Sequence, residues 1–353
     1  MDLIKWLFIL FIIVACNKEN KEKEENQELA SITFKNGFLL LNEGLFQQNN
    51  ASLSWVDLTN NEVTPDFFLK MNDRLLGDTG NDIKRYYGKI YIVVNASSTI
   101  EVLNAKTLKS IAQLKLNNNG QGQQPRAIAC WKNKVYVTSY DGYVNVIDTT
   151  TLTLSTRIKV GPNPEGLTIA NNMLYVANSG GLNFPEVDST VFEIDLNNNT
   201  IVDTFTVGNN PGAVIADDNG NIYVVKRGDY GADPSELVYI NTASKEISNL
   251  HIPASTLAKS GELLYISYYD FNTQHSNVAR FDLTSRSMIT NALIHENDVQ
   301  TLYGVYPFDD QSFICYDAMG FTSSGFLRFF DANGTLTKSI SVGLNPNGGV
   351  YFP

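Results

Sequence analysis

The sequence predicts an all-β protein, a seven-bladed β-propeller, and three observations lead to this prediction. An apolar and aromatic strand pattern recurs seven times, each time followed by a second strand. The polar residues that close those second strands are 41 to 49 residues apart. The chain ends with the beginning of a further repeat, whereas its first repeat starts in the middle of one. Repeats of about 45 residues, each holding several short strands, are typical of four-stranded propeller blades.

Each repeat contains a strand such as KIYIVVN or LLYISYY and a second strand such as STIEVLN or NVARFDL. An Asp or Asn ends every second strand, and its side-chain oxygen can accept hydrogen bonds from nearby backbone NH groups. The sequence therefore predicts a tight turn after each of these positions, which are Asp57, Asn104, Asp148, Asp195, Asn241, Asp282 and Asp331.

The passage between blades carries the recurring sequence V-G-x-x-P, in which proline leads into the inner strand of the next blade. The final segment, SVGLNPNGGVYFP, begins another such unit. We therefore expect the strand at about Gly348 to Phe352 to pair into blade 1 and close the ring, which removes an exposed sheet edge. A β-sandwich or a pair of small β-domains is the alternative, but seven units without a linker leave no domain boundary.

The first residues, MDLIKWLFILFIIVAC, combine one Lys with an apolar run too short for a comfortable membrane span and end in a sequence that resembles a bacterial lipobox. Residues 1–15 are predicted as a lipoprotein signal peptide, with lipidation of Cys16 as the membrane attachment; a plain N-terminal anchor is the alternative. Residues 16–30 are polar and charged and are predicted as a flexible tether. Residues 31–353 are predicted as a single propeller domain.

Acidic residues close to Cys16 resemble the surface-export signals of Bacteroidetes lipoproteins, so the expected location is the outer membrane, facing outward. The net charge of −11 comes without a basic stripe, which argues against nucleic acid as a partner. Cys130 and Cys315 lie on apolar strand patterns and are predicted to be core residues, with a disulfide between them as the alternative.

Loops that join the second and third strands of each blade share one face of a propeller, and here several of them are long. Blade 4 has NSGGLNFPEVDS and blade 5 has KRGDYGADPS, where a turn of two residues would suffice. Aromatic rings together with Asn, Asp and Arg are the mixture found in binding surfaces. The side chains predicted to bind a ligand are Tyr140, Tyr143, Asn178, Asn183, Phe184, Arg227, Asp229, Tyr230, Tyr268, Tyr269, Phe271 and Tyr316.

Common catalytic motifs are missing from the sequence, including HExxH, GxSxG and the P-loop, so no catalytic residue, metal site or cofactor is predicted. The chain has three His residues; His275 could act as a base or metal ligand, but an exposed polar role is favoured. An enzyme with a metal in the central channel remains an alternative, with Glu165, Asp82 and Asp229 as its candidate carboxylates.

The V-G-x-x-P and LYVAN patterns resemble YncE-like propellers of the YVTN type. More specifically, LNEGLFQQNNASLSWVDL, YVTSYDG, PEGLTIANNMLYVANSGG and RGDYGADPS resemble BtuG-like surface lipoproteins of Bacteroidetes. The resemblance covers about Leu41 to Asn241 and is weaker over blades 6 and 7.

The resemblance implies a surface protein that binds vitamin B12 and related corrinoids and passes them to a TonB-dependent outer-membrane transporter. A corrinoid is a broad disc edged with amide groups, which suits a wide face with aromatic contacts and many hydrogen-bonding partners. Two alternatives stay open: a propeller that binds another protein, or one that captures a different nutrient.

Overall fold

The computed structural model describes residues 34–270 and 273–353. Within them, seven four-stranded antiparallel sheets follow one another along the chain, which confirms the predicted seven-bladed propeller. The predicted signal peptide, Cys16 and the tether lie outside the described residues. No helix in the described part is long and apolar enough to cross a membrane.

Blades 1 and 2 contain β1 (Gly37–Asn42), β2 (Ser52–Asp57), β3 (Glu62–Thr64), β4 (Gly80–Tyr86), β5 (Lys89–Val94), β6 (Thr99–Asn104) and β7 (Ser110–Lys115). A short hairpin before blade 3 consists of β8 (Asn117–Asn118) and β9 (Gln121–Gly122). Blades 3 and 4 contain β10 (Pro125–Trp131), β11 (Lys134–Ser139), β12 (Tyr143–Asp148), β13 (Thr153–Lys159), β14 (Pro164–Ala170), β15 (Met173–Asn178), β16 (Thr190–Asp195) and β17 (Thr200–Thr206).

Blades 5 and 6 contain β18 (Pro211–Ala216), β19 (Ile222–Lys226), β20 (Glu236–Ile240), β21 (Ile247–Pro253), β22 (Thr256–Ser260), β23 (Leu263–Asp270), β24 (His275–Asp282) and β25 (Ser287–Thr290). Blade 7 contains β26 (Leu302–Pro307), β27 (Phe313–Asp317), β28 (Ser324–Phe330) and β29 (Leu336–Leu344), and the chain ends with β30 (Pro346–Phe352). The connection from blade 1 to blade 2 also holds a helix, α1 (Phe67–Asn72), which the sequence pattern did not predict.

The ring is closed by the last strand of the chain. β30 pairs antiparallel with β1, from Gly37 opposite Phe352 to Leu41 opposite Gly348, and becomes the inner strand of blade 1. The predicted closure is confirmed, with the strand beginning two residues earlier than expected. Blade 1 is therefore assembled from both ends of the described chain, so no inner strand is left unpaired.

The hydrophobic core lies between neighbouring blades. Along β15, Leu174 and Val176 pack with residues of blade 3, whereas Tyr175 and Ala177 pack with residues of blade 5. Successive side chains of a strand point to opposite faces of its sheet, so a strand that is covered on both faces must be apolar throughout. This explains the continuous apolar runs that mark the repeat.

The second strand of each sequence repeat is the third strand of its blade, counted from the ring axis. The polar residue that ends this strand forms the predicted turn. For example, Asp148 Oδ1 accepts backbone NH groups of Thr150 at 2.9 Å and Thr151 at 3.1 Å. Equivalent bonds form in all seven blades, at Asp57, Asn104, Asp148, Asp195, Asn241, Asp282 and Asp331.

Cys130 and Cys315 are free thiols in different parts of the core. Cys130 packs between blades 2 and 3, and Cys315 packs between blades 6 and 7. The prediction as a core residue is confirmed for Cys315, which is buried, whereas Cys130 is partly buried against the core. The alternative of a disulfide between them is excluded by this separation.

The ring has two faces, and the candidate site lies at one of them. One end, here called the upper face, carries the loops between the second and third strands of the blades and the connections from each blade to the next. The other end, the lower face, carries the remaining hairpin turns. The long loops of blades 4 and 5 both lie on the upper face, as the sequence predicts.

Candidate functional site at the mouth of the central channel

The inner strands begin at the upper face with a break in their pairing. In β10, Pro125 lies opposite Ser139, but the regular register resumes only at Ile128 opposite Val137. The same shift occurs in β4, β14, β18, β26 and β30, whereas β22 of blade 6 pairs without it. A bulge of this kind inserts an extra residue and re-aims side chains, and bulges are frequent beside functional sites.

The second residue of each bulged inner strand lies at the bulge. We call these six residues the channel-mouth ring. Its members come from six different blades and include two charged residues, one tyrosine and two amides. In chain order they are Asn81, Arg126, Glu165, Gly212, Tyr303 and Asn347.

Glu165 is the centre of a buried ionic network on this ring. Arg126 donates from Nε to Glu165 Oε2 at 3.1 Å, and Arg227 places a guanidinium nitrogen 3.3 Å from Oε1. The hydroxyl of Tyr140 donates to the same Oε1 atom. Burial by itself would raise the pKa of Glu165, but the two guanidinium groups and these hydrogen bonds hold it below its ordinary value. The carboxylate is therefore ionised at neutral pH.

Arg227 comes from the loop after β19 and reaches Glu165 across the ring position of blade 5. Gly212 occupies that position, and a Cβ atom there would lie only 2.6 Å from Arg227 Nε. The missing side chain at Gly212 thus leaves the space through which the guanidinium group passes.

Across the mouth, blades 1, 2 and 7 present mostly acceptors. The Tyr303 hydroxyl donates to Glu43, which follows β1. Burial raises the pKa of Glu43, although Tyr303, the charge of Arg126 and Asn347 act in the opposite direction. Asn347 donates from Nδ2 to the carbonyl of Gly80 at 2.7 Å. The side-chain oxygens of Asn347 and Asn81 are buried and have no hydrogen-bond partner among the residues that the structure describes.

An aromatic pair stands beside this polar mouth. Phe184, in the blade 4 loop, and Tyr230, in the blade 5 loop, have ring centroids 6.3 Å apart and are 57% and 74% exposed. The Tyr230 hydroxyl accepts a hydrogen bond from Asn210 Nδ2 at 2.9 Å, which holds the ring in place from one end. The two ring planes are inclined at 48°, and together the rings form an exposed apolar patch, here called the platform.

Below the ring, the inner strands enclose the central channel. A cavity of about 820 Å³ extends from Tyr303 and Asn347 at the mouth to Asp309 and Tyr351 near the lower face. A separate hollow of about 490 Å³ opens on the lower face beside Phe308. A cavity of the larger size falls in the range of small-molecule sites.

The structure brings four of the predicted residues to this site. Tyr140 and Arg227 contact Glu165, and Phe184 and Tyr230 form the platform. Asn183 is exposed in the same loop as Phe184. These five side chains come from blades 3, 4 and 5.

Other predicted residues maintain the loops or the core. Asn178 was expected in a loop, but it ends β15 and is fully buried; its Oδ1 accepts the NH of Gly161 at 3.0 Å. Tyr316 was also expected in a loop and instead lies in β27, 3% exposed, between blades 7 and 1. Both loop placements are wrong because the middle strands run further toward the upper face than their apolar pattern indicates.

Asp229 and Tyr143 have local partners. Asp229 Oδ1 accepts the backbone NH groups of Gly231 at 2.8 Å and Asp233 at 2.9 Å, so the carboxylate folds its own loop. The ring of Tyr143 lies 3.9 Å from the guanidinium carbon of Arg157. The expected loop placement of Tyr143 is wrong, because it begins β12 and packs on Arg157 of the neighbouring strand β13.

Tyr268 and Tyr269 of blade 6 were expected in a loop, but both lie in β23, which pairs with β24. The Tyr268 hydroxyl donates to the carbonyl of Asn291 at 2.7 Å, and Tyr269 is 43% exposed. Phe271 lies outside the described residues.

The carboxylates considered for a metal-dependent enzyme are separated. Asp82 Oδ2 accepts the NH of Ile128 at 2.8 Å and so links blades 2 and 3, and Asp229 and Glu165 have the partners given above. Among the described residues, no group of three His, Cys, Asp or Glu side chains could hold a metal ion.

Sequence reasoning missed Glu43, Asn81, Arg126, Tyr303 and Asn347. A signal for two of them was present, because the residue after the proline of each N-P or Q-P passage is the ring position, as in QQPRA and LNPNG. The recurring proline therefore marks both the passage between blades and the ring position that follows it.

Comparison with known proteins agrees with this architecture. The family model described as Domain of unknown function (DUF5074) matches residues 36–353. No curated protein matches the chain. Similar solved structures include a quinoprotein alcohol dehydrogenase-like protein from Bacteroides thetaiotaomicron, with 15% identity, a TM-score of 0.67, and coverage of 91% of this chain and 79% of that one.

Hydrazine synthase from Kuenenia stuttgartiensis is 17% identical, with a TM-score of 0.60 and coverage of 74% of this chain and 85% of the other. The dihydro-heme d1 dehydrogenase NirN is 11% identical, with a TM-score of 0.56 and coverage of 89% and 75%. At these identities the likeness concerns the propeller fold alone.

Proposed function

Since this chain belongs to the DUF5074 family and folds as a closed propeller, we propose that it is a non-catalytic surface lipoprotein that binds a corrinoid on its upper face. In this proposal the ligand is then delivered to a TonB-dependent outer-membrane transporter. The protein would hold no cofactor of its own, and the corrinoid would be its cargo.

The observation that carries the proposal is the pairing of an apolar platform with a polar channel mouth. Phe184 and Tyr230 offer two exposed rings, inclined at 48° to each other, as apolar contacts for the ligand. The mouth beside them contains the guanidinium groups of Arg126 and Arg227 and the carboxylate of Glu43. A broad disc with polar groups at its edge uses both kinds of contact at once.

The rigidity of the fold supports a binding role. The ring members are fixed by strand pairing, and Arg126, Glu165 and Arg227 are held by one another. Groups that are ordered before the ligand arrives lose less conformational entropy on binding. The same arrangement argues against catalysis by Glu165, because its two carboxylate oxygens are already occupied.

The sequence supports the proposed location and partner. The lipobox-like end of the leader and the acidic residues after Cys16 favour attachment to the outer membrane. A surface protein with a soluble ligand at that location needs a transporter to move the ligand inward, which is the role proposed for the TonB-dependent partner.

The test is isothermal titration of the chain from Ser31 onward, which keeps all seven blades, with cyanocobalamin. We expect stoichiometric binding and a Kd at least tenfold higher after the double substitution Phe184→Ala and Tyr230→Ala, since stacked aromatic contacts contribute about 1 kcal/mol or more each. Tyr87→Ala removes a 65% exposed ring from a lower-face turn and serves as the matched control.

If the double variant bound cyanocobalamin with unchanged affinity, Phe184 and Tyr230 would not be part of the binding site. If wild-type protein gives no heat and retains no red ligand on a desalting column, the corrinoid proposal is wrong. Capture of an outer-membrane protein by that same inactive preparation would then favour a protein-binding propeller.

A further inference from the structure

A group of cations lies on the lower face of blades 2 and 3, although the chain as a whole has a net charge of −11. The lower ends of three hairpins supply it, namely β4–β5, β6–β7 and β10–β11. We call this group the basic patch, and its members are Arg85, Lys89, Lys106, Lys109 and Lys132. In the part of the chain that the structure describes, none of the five has a carboxylate within ion-pair distance. Because they come from separate hairpins, they form no basic run in the sequence.

Hydrogen bonds join the three hairpins into one surface. The backbone NH of Ala105 donates to the carbonyl of Gly88 at 2.9 Å, which connects the two turns of blade 2. The hydroxyl of Tyr86 donates to the carbonyl of Lys132 at 2.8 Å, which connects blade 2 to blade 3. The basic patch is therefore continuous across the boundary between the two blades.

Aromatic rings lie among the cations of the basic patch. Tyr86 and Tyr87 are stacked with ring centroids 4.3 Å apart, and Tyr87 is 65% exposed. The ammonium nitrogen of Lys132 lies 3.9 Å from the ring centroid of Trp131. Tyr and Trp beside Lys and Arg are typical of protein surfaces that lie among lipid headgroups, because their rings are apolar and their edges polar.

The opposite side of the lower face has the opposite charge. The hairpin turns of blades 5, 6 and 7 carry acidic side chains, among them Glu246, Glu262, Asp282, Asp309 and Asp310. An anionic partner is therefore attracted to blades 2 and 3 and repelled by blades 5 to 7. This asymmetry gives the attraction a defined place on the lower face.

The chain enters the propeller beside the basic patch. β1 begins at the lower face, because the loop that follows it lies on the upper face. Phe34 packs on Trp55 and Phe67 in the core between blades 1 and 2, with ring centroids 4.9 Å and 5.7 Å apart. Residues 17–33 separate Phe34 from Cys16, the predicted lipid attachment, and can reach at most about 60 Å. A lipid at Cys16 would thus keep the patch within reach of the bilayer.

We propose that the basic patch docks the propeller on the phosphate groups of an anionic lipid surface. The inference rests on the proposed function for its membrane location only, and it does not depend on the corrinoid. Docked in this way, the upper face points away from the membrane and is open to a dissolved ligand. Attraction between exposed charges is reversible, so a lipid-anchored propeller can leave the surface and turn toward the transporter.

The test measures sedimentation of the chain from Ser31 onward with lipid vesicles. Two compositions are compared, phosphatidylcholine alone and phosphatidylcholine with about 10% lipid A, the phosphate-bearing lipid of the outer leaflet. We expect binding only to the vesicles that contain lipid A. The affinity should fall as the salt concentration rises, because salt screens exposed charges.

A triple variant assigns this binding to the basic patch by neutralising one lysine from each hairpin. Its substitutions are Lys89→Gln, Lys106→Gln and Lys132→Gln. We expect the affinity for vesicles with lipid A to fall at least about tenfold, because each cation near an anionic surface adds to the attraction. The urea midpoint should stay at the wild-type value, since none of the three ammonium groups has an ion-pair partner in the described chain.

A matched control removes the same charge from exposed lysines that lie outside the lower face. Its substitutions are Lys70→Gln in α1, Lys115→Gln at the end of β7 and Lys159→Gln at the end of β13. We expect the affinity of this control for the same vesicles to change by less than about threefold, since only the net charge differs.

Trp131 reports which face meets the lipid. The chain from Ser31 onward contains two tryptophans, and Trp55 is only 9% exposed in the core. Brominated phosphatidylcholine quenches tryptophan emission at short range. We expect quenching when the protein binds vesicles that contain this lipid together with lipid A. Binding without quenching would place another face on the membrane and overturn the proposal.

The remaining outcomes separate this inference from the proposed function. Equal binding to both vesicle compositions, no binding to either, or an equal loss in the two triple variants would overturn the docking proposal. Retention on heparin without vesicle binding would also overturn it, in favour of a soluble acidic partner. Cyanocobalamin titration is independent, because the patch lies on the face opposite the channel mouth. Wild-type protein that binds vesicles but no cyanocobalamin would overturn the corrinoid proposal and leave the docking proposal standing.

Discussion

Arg126 and Glu165 occupy the same register position in the inner strands of neighbouring blades, and their side chains form an ion pair with a nitrogen to oxygen distance of 3.1 Å. Each residue directly follows the proline that opens its strand. Equivalent positions of the repeat therefore carry different residues. Around the channel, these residues of opposite charge lie side by side and pair.

Removing the charge of Glu165 should destabilise the protein strongly. The substitution Glu165→Gln keeps the shape of the side chain but leaves the half-buried Arg126 guanidinium without its counter-charge, which typically costs about 3 kcal/mol or more. We expect a corresponding fall in the free energy of unfolding measured with urea. Glu186→Gln, at an exposed position in the blade 4 loop, is the control and should change the value by less than about 0.5 kcal/mol. Equal stability of the two variants would contradict a structural role for the ion pair.

Two glycines of adjacent inner strands should respond differently to alanine. A Cβ at Gly166 would lie 2.4 Å from the backbone oxygen of Gly212, whereas a Cβ at Gly212 meets the Arg227 side chain. Gly166→Ala should therefore destabilise the fold by about 1 to 3 kcal/mol, because the backbone must shift. Gly212→Ala should cost less, since a side chain can move, while it disturbs the contact of Arg227 with Glu165.

Thermal and urea unfolding of both glycine variants checks this difference. If Gly212→Ala lowered the free energy of unfolding more than Gly166→Ala, the prediction would be wrong. The position of the Arg227 guanidinium group would then matter more for stability than the close approach of the two backbones.

The turn of blade 3 should show a pH-dependent contribution from Asp148. Backbone NH groups of Thr151 and Thr150, together with Lys134, lower the pKa of Asp148 to about 2. A lowered pKa in the folded state means that this stabilisation is present above the unfolded value of about 3.9 and is lost as the pH falls through about 2. Asp148→Asn should keep the turn, because Asn104 and Asn241 form the same turn in blades 2 and 5.

The measurement is the urea midpoint of wild type and Asp148→Asn between pH 2 and pH 7. Wild type should be the more stable protein at pH 7, and the difference should close near pH 2. A difference that stays constant over this range would mean that the charge of Asp148 contributes nothing.

Both thiols of the propeller should be unreactive in the folded protein. Burial raises the pKa of Cys130 to about 12 and that of Cys315 well above its ordinary value. Compared with an ordinary thiol of pKa about 8.5, the thiolate fraction at pH 8 is then smaller by a factor of about a thousand or more. The chain from Ser31 onward should react with a thiol reagent only after denaturation, when two equivalents are released. Labelling of Cys130 within seconds under native conditions would contradict this prediction.

Much of the fold could be predicted from the sequence because its determinants are local. The middle strands are covered on both faces, so they read as continuous apolar runs such as LYVAN. Each blade also repeats its turn with an Asp or Asn that bonds to the next few backbone NH groups. Even the long-range pairing of β30 with β1 follows from an incomplete first repeat and an incomplete last one.

The candidate site was predicted only in part. Phe184, Arg227 and Tyr230 were predicted because they lie in long loops. A loop longer than the strand connection requires often serves a function other than joining the strands. Asn178 and Tyr316 were misplaced in loops because an apolar pattern does not define where a strand ends. Asn178 has its amide bonded to Gly161, a contact between segments that no local pattern reveals.

The sequence by itself determined the blade number, the closure of the ring and the face that carries the long loops, because these depend on strand alternation, turn chemistry and repeat length. Only the tertiary structure decided which side chains meet at the channel mouth. Glu43, Arg126 and Tyr303 are far apart in the chain and carry no shared motif; Arg126 and Tyr303 lie at bulges of their inner strands, and Glu43 follows β1. Convergence around an axis is a property of the closed ring, since no single blade contains the residues that meet at the channel mouth.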